Sequence, residues 1–218
     1  MKKNRELWRT IAVLICDIAM AILEFYALTR CYKSSGWRML RYYTQDSNLL
    51  AFEIAVICAM VTIICLFKGK REPPEWTKHL RHTAVTCLMV TFLVACLVIV
   101  PSDPRESFYS FMITGDNIYI HTLCPLLMLT YHLAFTGFRK YRFRHAVFTG
   151  ILTVLYGSVN LCLVYQRKLP PPYPFFNVHG QKWYITTLYA IAIPFGSMLL
   201  AYVIGKLGIR KRRDSIPL

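Results

Sequence analysis

The chain has no CxxC pair, no internal repeat, no low-complexity tail and no polar stretch long enough for a soluble domain. Without CxxC, neither a structural zinc site nor a disulfide framework is indicated, although eight cysteines are present. Seven of them, Cys16, Cys58, Cys65, Cys87, Cys96, Cys124 and Cys162, lie inside apolar runs, as small hydrophobes at helix interfaces do. Acidic residues are also scarce, 11 against 26 Lys and Arg. The N-terminal Met1-Lys-Lys-Asn-Arg is followed by an apolar run, but no small-x-small cleavage site follows and the run carries Asp17 and Glu24. It therefore reads as a retained helix rather than a removed signal peptide.

What is present is apolar. Hydrophobic residues make up 56% of the 218 positions and the mean hydropathy is +0.39, above the usual range for soluble domains. They are gathered in six blocks, near 8–29, 46–67, 80–101, 117–137, 145–165 and 183–205. Each is about the 20 residues needed to cross a hydrocarbon core roughly 30 Å thick. The expectation is one all-α integral membrane domain over 1–218, a six-transmembrane-helix bundle joined by short loops.

The basic excess is arranged by segment. Lys and Arg total 18 in the N-terminal flank, the second loop with Arg81, the fourth loop (138–144) and the C-terminal end from Lys206, against 8 in the first, third and fifth loops, the third holding only Arg105. By the positive-inside rule both termini are cytoplasmic. The charge thus reads as topology plus contact with anionic lipid headgroups, and nucleic-acid binding is not expected. The closing Arg210-Lys-Arg-Arg213 reads as a cytoplasmic basic cap.

Two blocks open on polar clusters. Arg41-Tyr-Tyr-Thr44-Gln-Asp-Ser47-Asn48 opens the second, and Asn117-Ile-Tyr-Ile-His121-Thr-Leu-Cys124-Pro125 opens the fourth. Both blocks run inward in this topology, so both clusters lie at the outer face. So does Lys168-Leu-Pro-Pro-Pro-Tyr173-Pro-Phe175-Phe176, whose prolines cannot be helical. This segment is expected to lie extended in the outer interface, anchored by its aromatic residues.

In a helix Thr44, Ser47 and Asn48 share one face, and Asn117, His121 and Cys124 share another. A hydroxyl facing an imidazole is the minimum for nucleophilic catalysis, with His121 as base to Thr44. Asn48 is a candidate donor to an oxyanion, with Ser47 beside it, and Asn117 a candidate to orient His121. Cys124 is the alternative nucleophile, since thiols attack more readily, but it points the same way as His121. A second reading uses the same residues. Thr44-Gln-Asp-Ser can satisfy the amides of a helix start, and His121 can simply bond a neighbouring helix. Residue types alone favour this second reading.

Asp17 and Glu24 stand seven apart on one face, as do Asp46 and Glu53, and both faces are expected to point into the bundle. Glu24 and Asn160 belong to the outer half, near the Thr44–His121 level. Glu75, His79 and His82 have helical metal-ligand spacing, but Lys78 and Arg81 flank them and disfavour a cation. No metal and no cofactor is expected.

Three segments carry a family resemblance. Tyr43-Thr44 through Asn48-Leu49-Leu50, His121-Thr122-x-x-Pro125 and Tyr173-Pro174-Phe175 are similar to motifs of the androgen-induced-gene and androgen-dependent TFPI-regulating-protein family of transmembrane threonine hydrolases. The chain resembles most its bacterial relatives, described as predicted six-transmembrane-region proteins, which carry Thr-x-x-Ser-Asn-Leu-Leu. The gap before Pro125 is one residue shorter than in the family, and the Gln45–Asn48 cluster is more polar than the eukaryotic segment. The resemblance implies Thr44 as nucleophile and His121 as base, with no cofactor. The substrate class it implies is a fatty-acyl ester, such as a fatty acid ester of a hydroxy fatty acid, held in a bacterial cytoplasmic membrane. Acyl transfer to another lipid would use the same residues. A binding protein or transporter without turnover is the alternative, motivated by the embedded Asp17, Glu24 and Glu53.

Overall fold

A computed structural model describes residues 2–102, 107–136, 138 and 141–208. Arg105, the loop cations Arg139 and Lys140, and the basic run Arg210–Arg213 lie outside the described residues. Among the described residues every regular element is helical: α1 (Lys2–Ser35), α2 (Tyr43–Phe67), α3 (Glu75–Val94), α4 (Val100–Ser102), α5 (Phe108–Ile113), α6 (Cys124–Phe135), α7 (Phe143–Tyr165) and α8 (Trp183–Leu207), with short 3-10 and π turns between them.

Five apolar stretches are long enough to span a bilayer: Glu6–Arg41, Tyr43–Phe67, Glu75–Ser102, Phe143–Tyr165 and Trp183–Leu207. They cover five of the six expected blocks. The remaining block forms the shorter apolar helix Tyr119–Phe135, which at 1.5 Å per residue is about 25 Å long.

The ends of these helices follow from local chemistry. After Phe67, Gly69 takes φ +68°, and the amides of Gly69 and Lys70 donate to Leu66 O and Cys65 O at 3.0 and 2.8 Å. This paired closure needs a left-handed residue, which glycine supplies without strain. Two π turns, Ala95–Ile99 and Tyr119–Leu123, each stand just before a proline, Pro101 and Pro125. A proline has no N–H for the carbonyl four residues back and crowds it, so the helix widens there. Those carbonyls belong to Leu97 and His121.

α3 is the centre of the bundle. It packs against α2, α6, α7 and α8, while α1 covers α2 and α6. Half of its apolar window is buried, against 22% for α8. Its inner neighbours form a core of Met20, Ile54, Ala55, Cys58, Val85, Leu88, Cys124 and Met128. Small residues such as Ala55, Cys58 and Ala84 let the helices approach closely there. Outward, α7 and α8 expose Phe148, Leu155, Val159, Leu188, Ile191 and Phe195. Large apolar side chains on the outside suit a lipid surround rather than water.

The embedded charges divide. Asp17 is fully buried, and Arg81 donates to both its carboxylate oxygens at 2.9, 3.2 and 2.5 Å, with Tyr131 Oη adding a third donor at 3.0 Å. Glu24 is also fully buried. Glu53 departs from expectation: it is exposed on the outside of α2, and Asp46 is half-buried. The rotation of α2 that turns Thr44, Ser47 and Asn48 inward turns Glu53 outward.

Candidate functional site

Thr44 is the second residue of α2, and its side chain is buried. It does not cap its helix. The N-cap is Tyr42, which makes no side-chain capping bond. The partner of Thr44 is instead Tyr173: the Thr44 amide N–H donates to the phenol oxygen at 3.3 Å, and the two hydroxyls are 3.4 Å apart. The proline-aromatic segment is what brings Tyr173 there. Its residues Pro174–Phe176 form a 3-10 turn that folds back over the bundle, burying Phe175 and Phe176. The expectation that these aromatics anchor the segment in the outer interface is therefore corrected, because burial against Tyr156 and Tyr189 outweighs interfacial exposure. Tyr173 stacks on Phe175 at 5.2 Å and meets Tyr42 edge-on at 5.8 Å, which fixes its hydroxyl over the α2 start.

Beneath this roof is a cavity of about 120 Å³ between α2, α3, α7 and α8. Its walls are mostly apolar, with Val90, Val94, Leu161 and Ile193 among them, and hydroxyls from Tyr43, Thr44, Thr91, Thr153 and Tyr156. Tyr43 Oη is 2.9 Å from Thr153 Oγ1, and Tyr156 Oη donates to Arg41 O at 2.7 Å, so both phenols are held by the protein. Pro194 lies within α8 on the cavity wall, where it interrupts the helix ladder and leaves space beside Ala190. Ser158 and Ala190 line the cavity and are exposed, so it opens on the flank of the bundle between α7 and α8. Burial pushes the Tyr173 phenol up to about 12. It is thus a proton donor at neutral pH.

The other residues singled out from the sequence fall around this cavity unequally. Ser47 donates to Thr44 O at 2.9 Å and lies 2.8 Å from Thr91 Oγ1. Asn48 donates through Nδ2 to Thr44 O at 2.7 Å and to Ile120 O at 3.4 Å, and its Oδ1 has no partner among the described residues. Through Asn48 the start of α2 is tied to the π turn that carries His121. His121 is buried, packs on Phe111 at 4.8 Å, and its Nδ1 has no hydrogen bond among the described residues. No hydrogen bond joins His121 to Thr44, and His121 is not on the cavity wall.

Asn117 lies elsewhere, in a polar recess with Cys31, Ser34, Gln45, Asp116 and Ile120. Asn160 is buried in α7 and donates to Tyr156 O at 3.1 Å. Cys124 is fully buried beside Glu24, whose two carboxyl oxygens find no hydrogen bond of ordinary geometry among the described residues. Glu75, His79 and His82 do not converge. Glu75 pairs with Lys78 at 2.9 Å, His79 packs on Phe138 and His145, and His82 Nε2 is 2.6 Å from Tyr141 Oη. Among the described residues no cluster of three or more His, Cys, Asp or Glu is placed to hold a metal ion.

Sequence reasoning missed Tyr173 as the partner of Thr44, along with Tyr43, Thr91, Thr153 and Tyr156 as cavity hydroxyls. The signal available was the isolated tyrosine within a proline run on the same predicted face as Thr44.

The fold is that of a helical multi-pass membrane protein, and its candidate site is a lateral, largely apolar cavity with hydroxyls at the end near Thr44 and Tyr173. Neither family models, nor curated proteins, nor solved structures contain a match to this chain.

Proposed function

We propose that the chain is a membrane-embedded lipid esterase that cleaves fatty-acyl esters with Thr44 as nucleophile. The observation that carries this is the buried Thr44 hydroxyl at the polar end of an apolar cavity that opens on the lipid-facing flank. An acyl chain entering between α7 and α8 would lie along Val94, Leu161 and Ile193 with its carbonyl near Thr44. The resemblance of the Thr44–Leu50, His121–Pro125 and Tyr173–Phe175 segments to threonine hydrolases supports the same reading, with His121 as the base. Thr44 Oγ attacks the acyl carbonyl, its proton passes to the imidazole and then to the departing alcohol, and water frees the acid from the acyl-threonine. The same steps with a lipid alcohol in place of water are acyl transfer.

In this reading Tyr119–Phe135 is the sixth span and both termini face the cytoplasm. The cavity then opens in the outer half of a bacterial cytoplasmic membrane, and the basic cytoplasmic flanks meet anionic lipid headgroups. Leu126 and Leu127, exposed on this helix of about 25 Å, would then face lipid as on the other spans.

A second reading has its own observation. Thr44 pairs with Tyr173 and not with His121, which suits a site that binds a lipid or small amphiphile, or transports it, without turning it over. A fluorophosphonate probe separates the two. The hydrolase reading expects labelling of the purified wild type, loss of labelling in Thr44→Ala, and ester turnover lost in step. Binding of a fluorescent fatty-acyl ester with no labelling and no turnover leaves the binding protein. Labelling that survives Thr44→Ala and vanishes in Cys124→Ala moves the nucleophile to the cysteine.

A further inference from the structure

The Tyr173 phenol occupies a position that the sequence did not assign to any chemistry. Its oxygen accepts the Thr44 amide N–H at 3.3 Å, so one lone pair is used and its own proton is directed elsewhere. Its hydroxyl neighbours are the Tyr156 phenol and the Thr44 hydroxyl, the latter 3.4 Å away. This is a long contact for two hydroxyls, whose bonds centre near 2.7–2.8 Å. The half-buried phenol is thus only loosely paired with Thr44 and stands beside Thr44 Oγ1 on the cavity wall. Stacking on Phe175, the edge contact with Tyr42 and the packing of Phe176 on Tyr156 hold the ring in place. A donor that is fixed before the reaction needs no reorganisation when charge develops near it. Thr44 also lies in the first turn of α2, a 25-residue helix whose positive end favours an anion there.

We infer that Tyr173 is a catalytic residue of the Thr44 site, donating its phenol proton in a hydrogen bond to the oxyanion formed on the acyl carbonyl. When Thr44 Oγ bonds to the carbonyl carbon, the electron pair of the C=O bond moves to its oxygen. That oxygen takes the Tyr173 O–H hydrogen bond, with the Thr44 N–H as second donor once the phenol oxygen gives it up. Collapse of the adduct returns the pair to C=O as the ester C–O bond breaks, and the alcohol leaves with the proton that Thr44 released. Tyr173 keeps its proton throughout. This assigns to the roof of the cavity the role that the sequence had offered to Asn48, whose Nδ2 is engaged by the carbonyls of Thr44 and Ile120.

The inference rests on the hydrolase reading, and its test distinguishes the two failures. Full-length protein in liposomes is assayed with p-nitrophenyl octanoate and with the fluorophosphonate probe. Tyr173→Phe keeps the aromatic packing and is expected to lower kcat by about 10²–10³-fold with KM unchanged, the usual effect of losing one oxyanion donor. Labelling by the phosphonate, whose oxygen takes the same place, slows equally. Fluorotyrosines of increasing acidity at position 173 keep the hydroxyl and the ring, and kcat is expected to rise along that series. A Tyr173→Phe variant with wild-type kcat, or a kcat indifferent to phenol acidity, overturns the role of Tyr173 while Thr44 stands. Wild-type turnover in Thr44→Ala overturns the hydrolase reading and this inference with it.

Discussion

Asn48 Nδ2 lies 2.7 Å from the carbonyl oxygen of Thr44, the residue one turn before it in α2. The same amide reaches Ile120 O on the π turn at 3.4 Å. One side chain thus serves two carbonyls on different segments, and the second is open to it because the π turn sends the Cys124 N–H to Tyr119 O instead of Ile120 O.

Replacing Asn48 with alanine should remove both donors and leave the Ile120 carbonyl without this partner in the interior. The expected loss is about 1–3 kcal/mol. Asn48→Asp should be worse, because a carboxylate faces two carbonyl oxygens and donates to neither. Thermal unfolding in detergent checks the order, wild type above alanine above aspartate. An aspartate variant as stable as wild type would remove the bridge from the account.

Much of the bundle was legible in the sequence because crossing a bilayer demands length and apolarity together, and five of the six blocks form helices that meet both. What was not legible is how each helix is turned about its axis. α2 is apolar nearly all round, so periodicity alone leaves the facing of Thr44 and Glu53 open, and packing against α1 and α3 decides it. Glu53 was assigned inward on its spacing from Asp46 and points outward. Tyr173 was read as an interfacial anchor because a tyrosine in a proline run has no period at all. Its place over Thr44 depends on the fold of a whole loop. Charge could propose a common side for Thr44 and His121; it could not show that Thr44 pairs with Tyr173 rather than with His121.

Asp17 and Arg81 test the cost of charge in this interior. Their side chains are 0% and 1% exposed, so each solvates the other. Asp17→Asn leaves Arg81 a charge without a counter-ion and should cost about 3–5 kcal/mol. The double change Asp17→Leu with Arg81→Met removes both charges and should be less destabilising than either single change. A double-mutant cycle on unfolding free energies measures this. Additive effects of the two single changes would show that the pair is not coupled.

Gly205 sits where α8 passes the ring of Tyr141, and a Cβ there would collide with Tyr141 Cε1 and Cζ. The ring cannot simply swing away, because its hydroxyl is bonded to His82 and its face packs on Phe138. Gly205→Ala should therefore destabilise by about 1–3 kcal/mol. Gly196→Ala on the same helix is the control. A Cβ there meets nothing within 4 Å, and the gain in helix propensity, up to about 1 kcal/mol, should leave stability equal or higher. Equal melting temperatures for the two variants would contradict the close approach of Tyr141.

Cys162 gives a direct check on orientation. It lies one turn before the end of α7 and is exposed, while Cys31, Cys58, Cys65, Cys87 and Cys124 are buried. The proposed topology puts this end of α7 on the same outer side as Tyr173, since the loop carrying Tyr173 begins immediately after it. A membrane-impermeant maleimide applied to intact cells should then modify Cys162, read as a mass shift on its peptide, and leave Cys124 untouched until the protein is unfolded. Gln166, which donates to its sulfur at 3.3 Å, partly shields the thiol, so Gln166→Ala should speed the reaction. Modification of Cys162 only after the cells are opened would place the Thr44 cavity toward the cytoplasm. The substrate would then have to come from the inner leaflet, and the positive-inside assignment would have to be reversed, because the segments joining α1 to α2 and α7 to α8 share one side.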